Sequence, residues 1–281
     1  MPQALGNGPT HCWSEPFGRP RPRSCRFLKV SSEGEKAARQ DRVRFGSWAG
    51  SVRFSIAAVV LISALLAGCG VVACDQTADR FASIAADGIS SVRIIAEAGS
   101  LDIEGRLNQT DVNAEGTACA SSSNDLEEIQ FEVTTSGSEV VIEARTPGSN
   151  SEFDLTITVP DSVLVEVEDN SGGADIHDVA DVRIRDDSGD VDVANVSGDV
   201  TVTEDGSGNL NFSGIAGSVE IAKDGSGEII VTDVGGDVLV GEDGSGSIDV
   251  TNVAGDFVVR QGGSGGIDHS GIGGTVDIPE D

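Results

Sequence analysis

Carboxylates at a fixed spacing are the residues of this sequence with the clearest capacity for chemistry. Asp205, Asp224 and Asp243 recur with a 19-residue period, each at the start of an Asp-Gly-Ser-Gly string. Acidic turns that repeat in this way are typical of calcium-binding coils, but those coils are nonapeptide repeats with Gly-Gly-x-Gly-x-Asp, which is lacking here. We expect solvated corners whose like charges repel weakly, with calcium at these three residues as the alternative and otherwise no cofactor.

Histidines offer a weaker signal for catalysis. His177 and His269 are the two histidines after residue 68, and each has Ser and Asp nearby in the sequence. His269 falls in an apolar column of the repeat described below, so we expect it at the end of the fold, and we expect His177 on the surface. Hydrolytic sites built from carboxylates need basic partners, and only 8 Lys and Arg follow residue 68. We therefore expect no enzyme.

Cys69 has the surroundings of a lipidation site. Arg53 is followed by the apolar stretch 56–67 and then by Gly68 and Cys69, the order of a charged region, an apolar region and a cleavage site in an export signal. The string Leu-Ala-Gly-Cys at 66–69 matches the bacterial lipobox, in which the cysteine thiol is acylated and becomes the new N-terminus. The alternatives are acylation at Cys74 and an uncleaved signal anchor.

Cys74 and Cys119 are the two cysteines left after the leader and Cys69 are set aside. In an oxidising compartment they could pair, and the bond would stabilise the fold by about 3 to 4 kcal/mol in the chain-entropy model. Two unpaired thiols are the alternative. We expect no metal site at these cysteines, because the sequence has no C-x-x-C spacing.

Charge divides the chain into two parts. The whole chain has a net charge of −29, but the leader, 1–68, is basic and carries 10 of the 18 Lys and Arg. The remainder is strongly acidic, which makes binding to nucleic acid unfavourable because phosphate contacts require cations. The expected partners are a membrane, through the lipid anchor, and a protein or glycan ligand.

A 19-residue repeat dominates the C-terminal part. Ser-Gly recurs with this period from Ser188 to Ser264, and the aligned repeats have five columns in which every residue except His269 is apolar. Within each repeat the first two columns are two residues apart, and so are the last two. This is the spacing of inward-facing residues on a strand with one buried face. Each repeat is therefore predicted to form strand, Gly turn, strand, Gly turn. The fold class is all-β, a single-stranded β-solenoid of 19-residue coils with irregular strand-rich coils at its N-terminal end.

The sequence indicates four segments. Residues 1–68 are interpreted as leader and lipoprotein signal peptide, with 1–42 untranslated or disordered. Residues 69–88 are predicted to be a flexible tether, 89–168 the irregular strand-rich part and 169–281 the regular coils. The first regular coil, which begins at Ser171, is predicted to be a 17-residue coil with two deletions.

The strand ending in Val159-Pro160, followed by Ser-Gly-x-Ile/Val coils with Gly-Asp-Val turns, resembles the bacterial DUF4097 family of candidate adhesins over residues 90–278. The resemblance implies a right-handed β-helix-like fold on a cell-envelope protein and no catalytic residues. We expect a non-catalytic, lipid-anchored membrane protein of the cell envelope that acts as an adhesin-like interaction module, on the cell surface or on the periplasmic face. The alternatives are an envelope-stress or signalling accessory protein and a calcium-stabilised β-solenoid.

Overall fold

A computed structural model describes residues 74–279, which form twenty strands and two short helical segments. In chain order the strands are β1 (Gln76–Ala85), β2 (Ser91–Ala96), β3 (Leu101–Arg106), β4 (Asp111–Ala120), β5 (Gln130–Ser136), β6 (Glu139–Arg145), β7 (Ser151–Pro160), β8 (Leu164–Asp169), β9 (Ala174–His177), β10 (Asp181–Asp186), β11 (Val191–Ala194), β12 (Val200–Asp205), β13 (Leu210–Ile215), β14 (Val219–Asp224), β15 (Ile229–Val234), β16 (Val238–Asp243), β17 (Ile248–Val253), β18 (Phe257–Gln261), β19 (Ile267–Ile272) and β20 (Val276–Asp277). Helix α1 covers Ser123–Glu128, and a 3-10 turn covers Gly148–Asn150.

The strands form two ten-stranded sheets around one apolar core. Sheet 1 has the order β1-β4-β7-β3-β9-β11-β13-β15-β17-β19, and sheet 2 has the order β5-β6-β2-β8-β10-β12-β14-β16-β18-β20. From β8 onward each coil contributes one strand to each sheet, and successive coils pair in parallel. The predicted β-solenoid is confirmed.

The apolar columns of the repeat form the core of the regular coils. Leu210 pairs with Ile229 and Ile229 with Ile248, so each pair joins equivalent positions of two successive repeats. All column residues of the first four repeats are buried. The five column residues of the last repeat, including His269, are exposed or half-buried because no further coil of the described chain covers them.

The first regular coil is a 17-residue coil, as predicted, and the structure locates its two deletions. Ala174 pairs with Val191, Val182 with Val200 and Asp186 with Asp205. The number of residues that separates two partners along the chain thus increases by one from each pair to the next. One deletion thus lies between β9 and β10. The other lies at the register shift after Ile184, where β12 has an extra residue that forms a bulge.

The N-terminal coils are stacked out of chain order. The coil made by β2 and β3 lies between the coil of β6 and β7 on one side and the coil of β8 and β9 on the other. Because β7 and β8 lie on opposite sides of this coil, the chain must cross from one side to the other between Pro160 and Leu164. The irregular coils were predicted for this part of the chain, but their order was not.

The predicted flexible tether is wrong for its second half. Residues 76–85 form β1, which pairs antiparallel with β4 over its whole length. Ala82 and Ile84 face inward on this strand and are half-buried, while Phe81 and Ser83 face outward. β1 forms one edge of sheet 1.

The predicted solvated corners are also wrong. Asp205, Asp224 and Asp243 are only 1–3% exposed, and Asp169 and Asp186 are buried with them. The bulge explains the error, because the extra residue between Val202 and Asp205 shifts the alternation so that both face inward. We call Asp169, Asp186, Asp205, Asp224 and Asp243 the inner acid ladder.

Candidate functional site

The structure places the predicted cysteine pair and the residues of the calcium alternative in two different locations. Cys69, the predicted lipidation site, lies outside the described residues. Cys74 and Cys119 are joined by a disulfide at the start of β1 and the end of β4, with their Cα atoms 5.3 Å apart. The residues of the calcium alternative, Asp205, Asp224 and Asp243, lie inside the solenoid rather than on its surface.

One group in the described part of the chain has three acidic or thiol ligand atoms close enough for a single metal ion. It consists of Cys74, Cys119 and Glu152, whose atoms lie within 4.8 Å of one another. Because the two sulfur atoms form the disulfide, they are not available as thiolate ligands.

His177 is a half-exposed residue at the end of β9. Its Nδ1 atom lies 2.9 Å from Oδ2 of Asp178. Partial burial lowers the pKa of His177, but the hydrogen bond to Asp178 and the nearby charges of Asp175 and Glu104 outweigh it, so the pKa is raised. Among the hydrogen bonds of residues 74–279, none joins a serine hydroxyl to this ring. The predicted surface position of His177 is confirmed.

The outer face of sheet 1 presents two neighbouring rows of mainly polar side chains. The strand register aligns the acid-rich row Phe81, Glu115, Thr156, Asp102, Asp175, Asp192, Asn211, Ile230, Asp249 and Asp268. The second row, rich in hydroxyls, is Ser83, Asn113, Thr158, Glu104, His177, Ala194, Ser213, Thr232, Thr251 and Ser270. Adjacent members of a row are one strand spacing apart, about 4.8 Å.

A shallow cavity of about 550 Å³ lies at the N-terminal end of this face. Its lining comes from β1, β4 and β7 and includes Asp79, Phe81, Glu115, Asp154 and Thr156. We call it the edge groove. The strand register explains its shape, since Phe81 lies opposite Glu115 and Glu115 opposite Thr156.

Phe81 is the one large apolar side chain of the edge groove that is freely accessible. It is 64% exposed, whereas the phenylalanines of the regular coils, Phe212 and Phe257, are fully buried. Single exposed apolar residues are common on protein surfaces. Phe81 differs from most of them because polar side chains surround it in a concave site, the combination of apolar contact and directed hydrogen bonds that is typical of ligand sites.

The polar groups of the edge groove are held in place by hydrogen bonds. Thr117 Oγ1 donates to Asp79 Oδ1 at 3.2 Å, and Asp154 Oδ1 accepts from the backbone N–H of Ser100 at 2.8 Å and from its hydroxyl at 2.7 Å. Arg80 also lines the groove and donates to the carbonyl oxygen of Asp79 at 3.3 Å. The groove therefore presents an aromatic ring, fixed acceptors and hydroxyls, with acidic groups in excess.

Sequence reasoning missed this groove because it assigned β1 to the tether. A short alternation, in which Ala82 and Ile84 alternate with Phe81 and Ser83, was the available signal. It is weak because an alanine contributes little to an apolar period. The pairing of β1 with β4 also depends on a distant segment of the chain, for which no repeat exists.

No protein-family model matches this chain, and the search of curated proteins finds no match either. Membership of DUF4097 therefore stays a prediction. Among solved structures, the chain is similar to one described as a candidate adhesin from Bacteroides fragilis, with 12% identity, a TM-score of 0.34 and coverage of 73% of this chain and 98% of the other.

Two further solved structures show the same distant similarity. A candidate cell adhesion protein from Clostridium sporogenes has 13% identity and a TM-score of 0.27, with coverage of 72% of this chain and 99% of the other. A candidate adhesin from Parabacteroides merdae has 14% identity and a TM-score of 0.27, with coverage of 72% and 96%. Similarity at this level does not assign a ligand, so the argument for function depends on the site itself.

None of the helices within residues 74–279 is long and apolar enough to cross a membrane.

Proposed function

We propose that this protein is a non-catalytic, adhesin-like recognition module of the bacterial cell envelope that binds an uncharged or amino-bearing glycan in the edge groove. The observation that carries the proposal is Phe81, 64% exposed in a groove lined by carboxylates and hydroxyls. An aromatic ring offers a flat apolar surface, and the surrounding oxygens accept hydrogen bonds from sugar hydroxyls.

Charge favours this class of ligand over acidic polymers. Glu115, Asp79 and Asp154 line the groove, and the acid-rich row continues from it through Asp102 and Asp175. An acidic glycan or a nucleic acid would be repelled, while a neutral or amino-bearing sugar would not. The two rows extend across all ten strands of sheet 1, so an extended polymer could make further contacts along the solenoid.

The proposed attachment to the envelope is through Cys69. It is supported by the apolar stretch 56–67 and by the Leu-Ala-Gly-Cys string that follows. We expect the full chain expressed in a bacterium to incorporate labelled palmitate and the Cys69→Ser variant to lose the label and accumulate as precursor. Continued labelling of this variant would move the lipid to Cys74.

The glycan proposal is tested by binding of the full chain to an array of neutral, amino-bearing and acidic glycans. Affinity for the best ligand is then measured for Phe81→Ala and, as a matched control, for Leu107→Ala, since Leu107 is another exposed apolar residue at 77% exposure. We expect Phe81→Ala to weaken binding at least about tenfold and Leu107→Ala to change it less than about twofold. Both variants should keep the wild-type melting temperature.

Salt distinguishes a glycan from a basic protein as the partner. Binding of a neutral glycan should persist at high ionic strength, whereas attraction of a basic protein to the acid-rich row should weaken strongly. Absence of binding to every glycan, or equal affinity of Phe81→Ala and wild type, would contradict the proposal.

A further inference from the structure

The inner acid ladder is a column of five carboxyl groups along the inside of sheet 2. The strand register places Asp169 beside Asp186, Asp186 beside Asp205, Asp205 beside Asp224 and Asp224 beside Asp243. Adjacent members are thus on neighbouring strands, whose backbones are about 4.8 Å apart. Ala96 occupies the next position at the N-terminal end of the column.

These carboxyl groups are buried and lack the partners that buried polar groups normally have. Both side-chain oxygens of Asp169, Asp186, Asp205 and Asp224 are inaccessible, and within the described residues no donor approaches them with good hydrogen-bond geometry, although backbone N–H groups and the adjoining carboxyls lie close by. At the C-terminal end of the column, Asp243 Oδ2 accepts from the backbone N–H of Gly263 at 3.1 Å. Unpartnered buried polar groups are rare and call for a ligand or an unusual protonation state.

A second column of acids on the surface shows the contrast. Asp181, Asp199, Asp237 and Asp256 lie at the opposite corner, and each accepts a hydrogen bond from a backbone N–H of the next coil. The hydrogen bonds from Thr275 lower the pKa of Asp256. The surface acids therefore have the hydrogen-bond partners that the acids of the inner ladder lack.

No basic side chain among the described residues neutralises the inner acid ladder. Arg185 and Lys223 lie on the outer side of the same strands, where they pair with Asp187 at 2.9 Å and with Glu204 at 3.0 Å. The charged residues of the opposing strands β9, β11 and β17, such as Asp192, face outward. The charges that act on the ladder are its own carboxyl groups and Asp187, all of the same sign.

Burial and like charge shift four members of the ladder, Asp169, Asp186, Asp205 and Asp224, toward their neutral form. Desolvation is the largest cause, and it raises the pKa of Asp169 to about 7 and, with the adjoining carboxyl of Asp224, that of Asp205 to about 8. Desolvation also raises the pKa of Asp186 and of Asp224, and the adjoining carboxyl of Asp205 partly offsets this rise in both.

A proton fits this site better than a metal ion. Calcium takes six to eight oxygen ligands, and Mg²⁺ needs an octahedral set. Within residues 74–279 the ladder does not bring three carboxylate oxygens within reach of one ion, because its members lie in a line rather than around a point. A shared proton needs only two neighbouring carboxyl groups, one as donor and one as acceptor.

We propose that the inner acid ladder is a proton-binding site in which, near neutral pH, protonated carboxyls donate hydrogen bonds to the carboxylates of the adjacent coils and so join the coils from within. Deprotonation at alkaline pH removes these bonds and leaves adjacent buried charges. The protein should consequently be stabilised by acid. This proposal is independent of the ligand of the edge groove.

The sign of the pH effect follows from linkage. An aspartate in the unfolded chain has a pKa of about 3.9, and the folded values are higher, so the folded state binds more protons between the two. The contribution of the ladder is fully present below about pH 4 and is lost as the pH rises toward about 8. Ion-paired carboxylates, whose pKa is lowered by folding, behave in the opposite way: their contribution is present above about pH 4 and is lost as the pH falls further.

The first test compares the melting temperature of the full chain at pH 5 and pH 9. We expect the wild type to lose about 10 °C over this range, and the Asp205→Asn/Asp224→Asn variant to lose much less and to be the more stable protein at pH 9. The matched control is Asp199→Asn/Asp237→Asn, which removes the same two charges from the surface column and should retain the wild-type slope. Equal slopes in all three proteins would overturn the proposal.

The second test needs no variant. An infrared spectrum of the wild type at pH 7 should contain the C=O stretch of protonated carboxylic acids, and this band should disappear as the pH is raised to 9. Absence of the band at pH 7 would overturn the proposal. So would an increase in melting temperature of about 10 °C in millimolar calcium at pH 9 that a chelator reverses, since the ladder would then hold a metal ion.

Discussion

The regular coils and the N-terminal coils of this protein are built from the same two sheets but follow different rules of assembly. From β8 onward each coil stacks on the coil before it, and Val231 pairs with Val250, its equivalent in the next repeat. In the N-terminal part the coil of β2 and β3 is enclosed by coils formed later in the chain. A repeated sequence makes adjacent coils interchangeable and so favours stacking in chain order. Without a repeat, distant contacts decide the order.

The two regions also differ in where their distinctive side chains lie. Besides the outer acid-rich row, the regular coils carry acidic groups inside, where the ladder runs from Asp169 to Asp243. The N-terminal coils present theirs outside, where Phe81 and Glu115 lie at an open sheet edge. Repetition suits a property shared along the whole solenoid, such as acid stability, and irregularity allows a single distinctive groove.

The largest effect that we expect from a small substitution is at Gly227, within the regular coils. This residue has φ of +151°, and a Cβ atom there would overlap the carbonyl oxygen of Gly208 in the preceding coil. We expect Gly227→Ala to lower the free energy of unfolding by about 3 kcal/mol or more, because two coils must separate to relieve the overlap. Chemical denaturation of the full chain measures this loss.

The matching substitution in the N-terminal region should cost less. Gly137 also has positive φ, +65°, but it lies in the tight turn between β5 and β6, and a Cβ atom there would have no neighbour within 4 Å. We expect Gly137→Ala to lose about 1 to 2 kcal/mol, the cost of the left-handed conformation alone. Equal losses at Gly137 and Gly227 would show that the regular coils are less closely stacked than the structure indicates.

The sequence was sufficient to predict most of the regular region, for an identifiable reason. Its columns repeat without interruption, and the position of one valine determines the positions of its equivalents. Even the inward position of Asp186 could have been predicted, because Val182, Ile184 and Asp186 alternate without a bulge. The bulge after Val202 hid the same orientation for Asp205.

The N-terminal region could be predicted only in part. Its individual strands have detectable apolar alternation, as in Val140 and Ile142, and the structure contains them as expected. The order of the coils depends on pairings such as Val92 with Val165, between segments that have no periodic relation in the sequence. The edge groove depends on the same kind of distant pairing, and it could not be assembled from local patterns.

The smallest effect is expected on the outer side of the regular coils, one position along the chain from the inner ladder. Lys223 Nζ lies 3.0 Å from Glu204 Oε1, and its side chain is 53% exposed. Its strand neighbour on the other side is Glu242, so the charges of this column alternate in sign. We expect Lys223→Ala to lower the free energy of unfolding by about 0.5 kcal/mol, because solvent screens exposed ion pairs and ordering the side chains has an entropic cost.

Salt dependence distinguishes this surface column from the buried one. The difference between Lys223→Ala and wild type should disappear in about 1 M salt, where charges are screened over about 3 Å. The pH dependence assigned to Asp205 and Asp224 should persist under the same conditions, since water and ions do not reach groups that are 1–2% exposed. A loss at Lys223 above about 2 kcal/mol that high salt leaves unchanged would mean that the outer column contributes as a buried network does. Lys223 and Asp224, which are adjacent on β14, would then not lie in the exposed and the buried environment that the structure gives them.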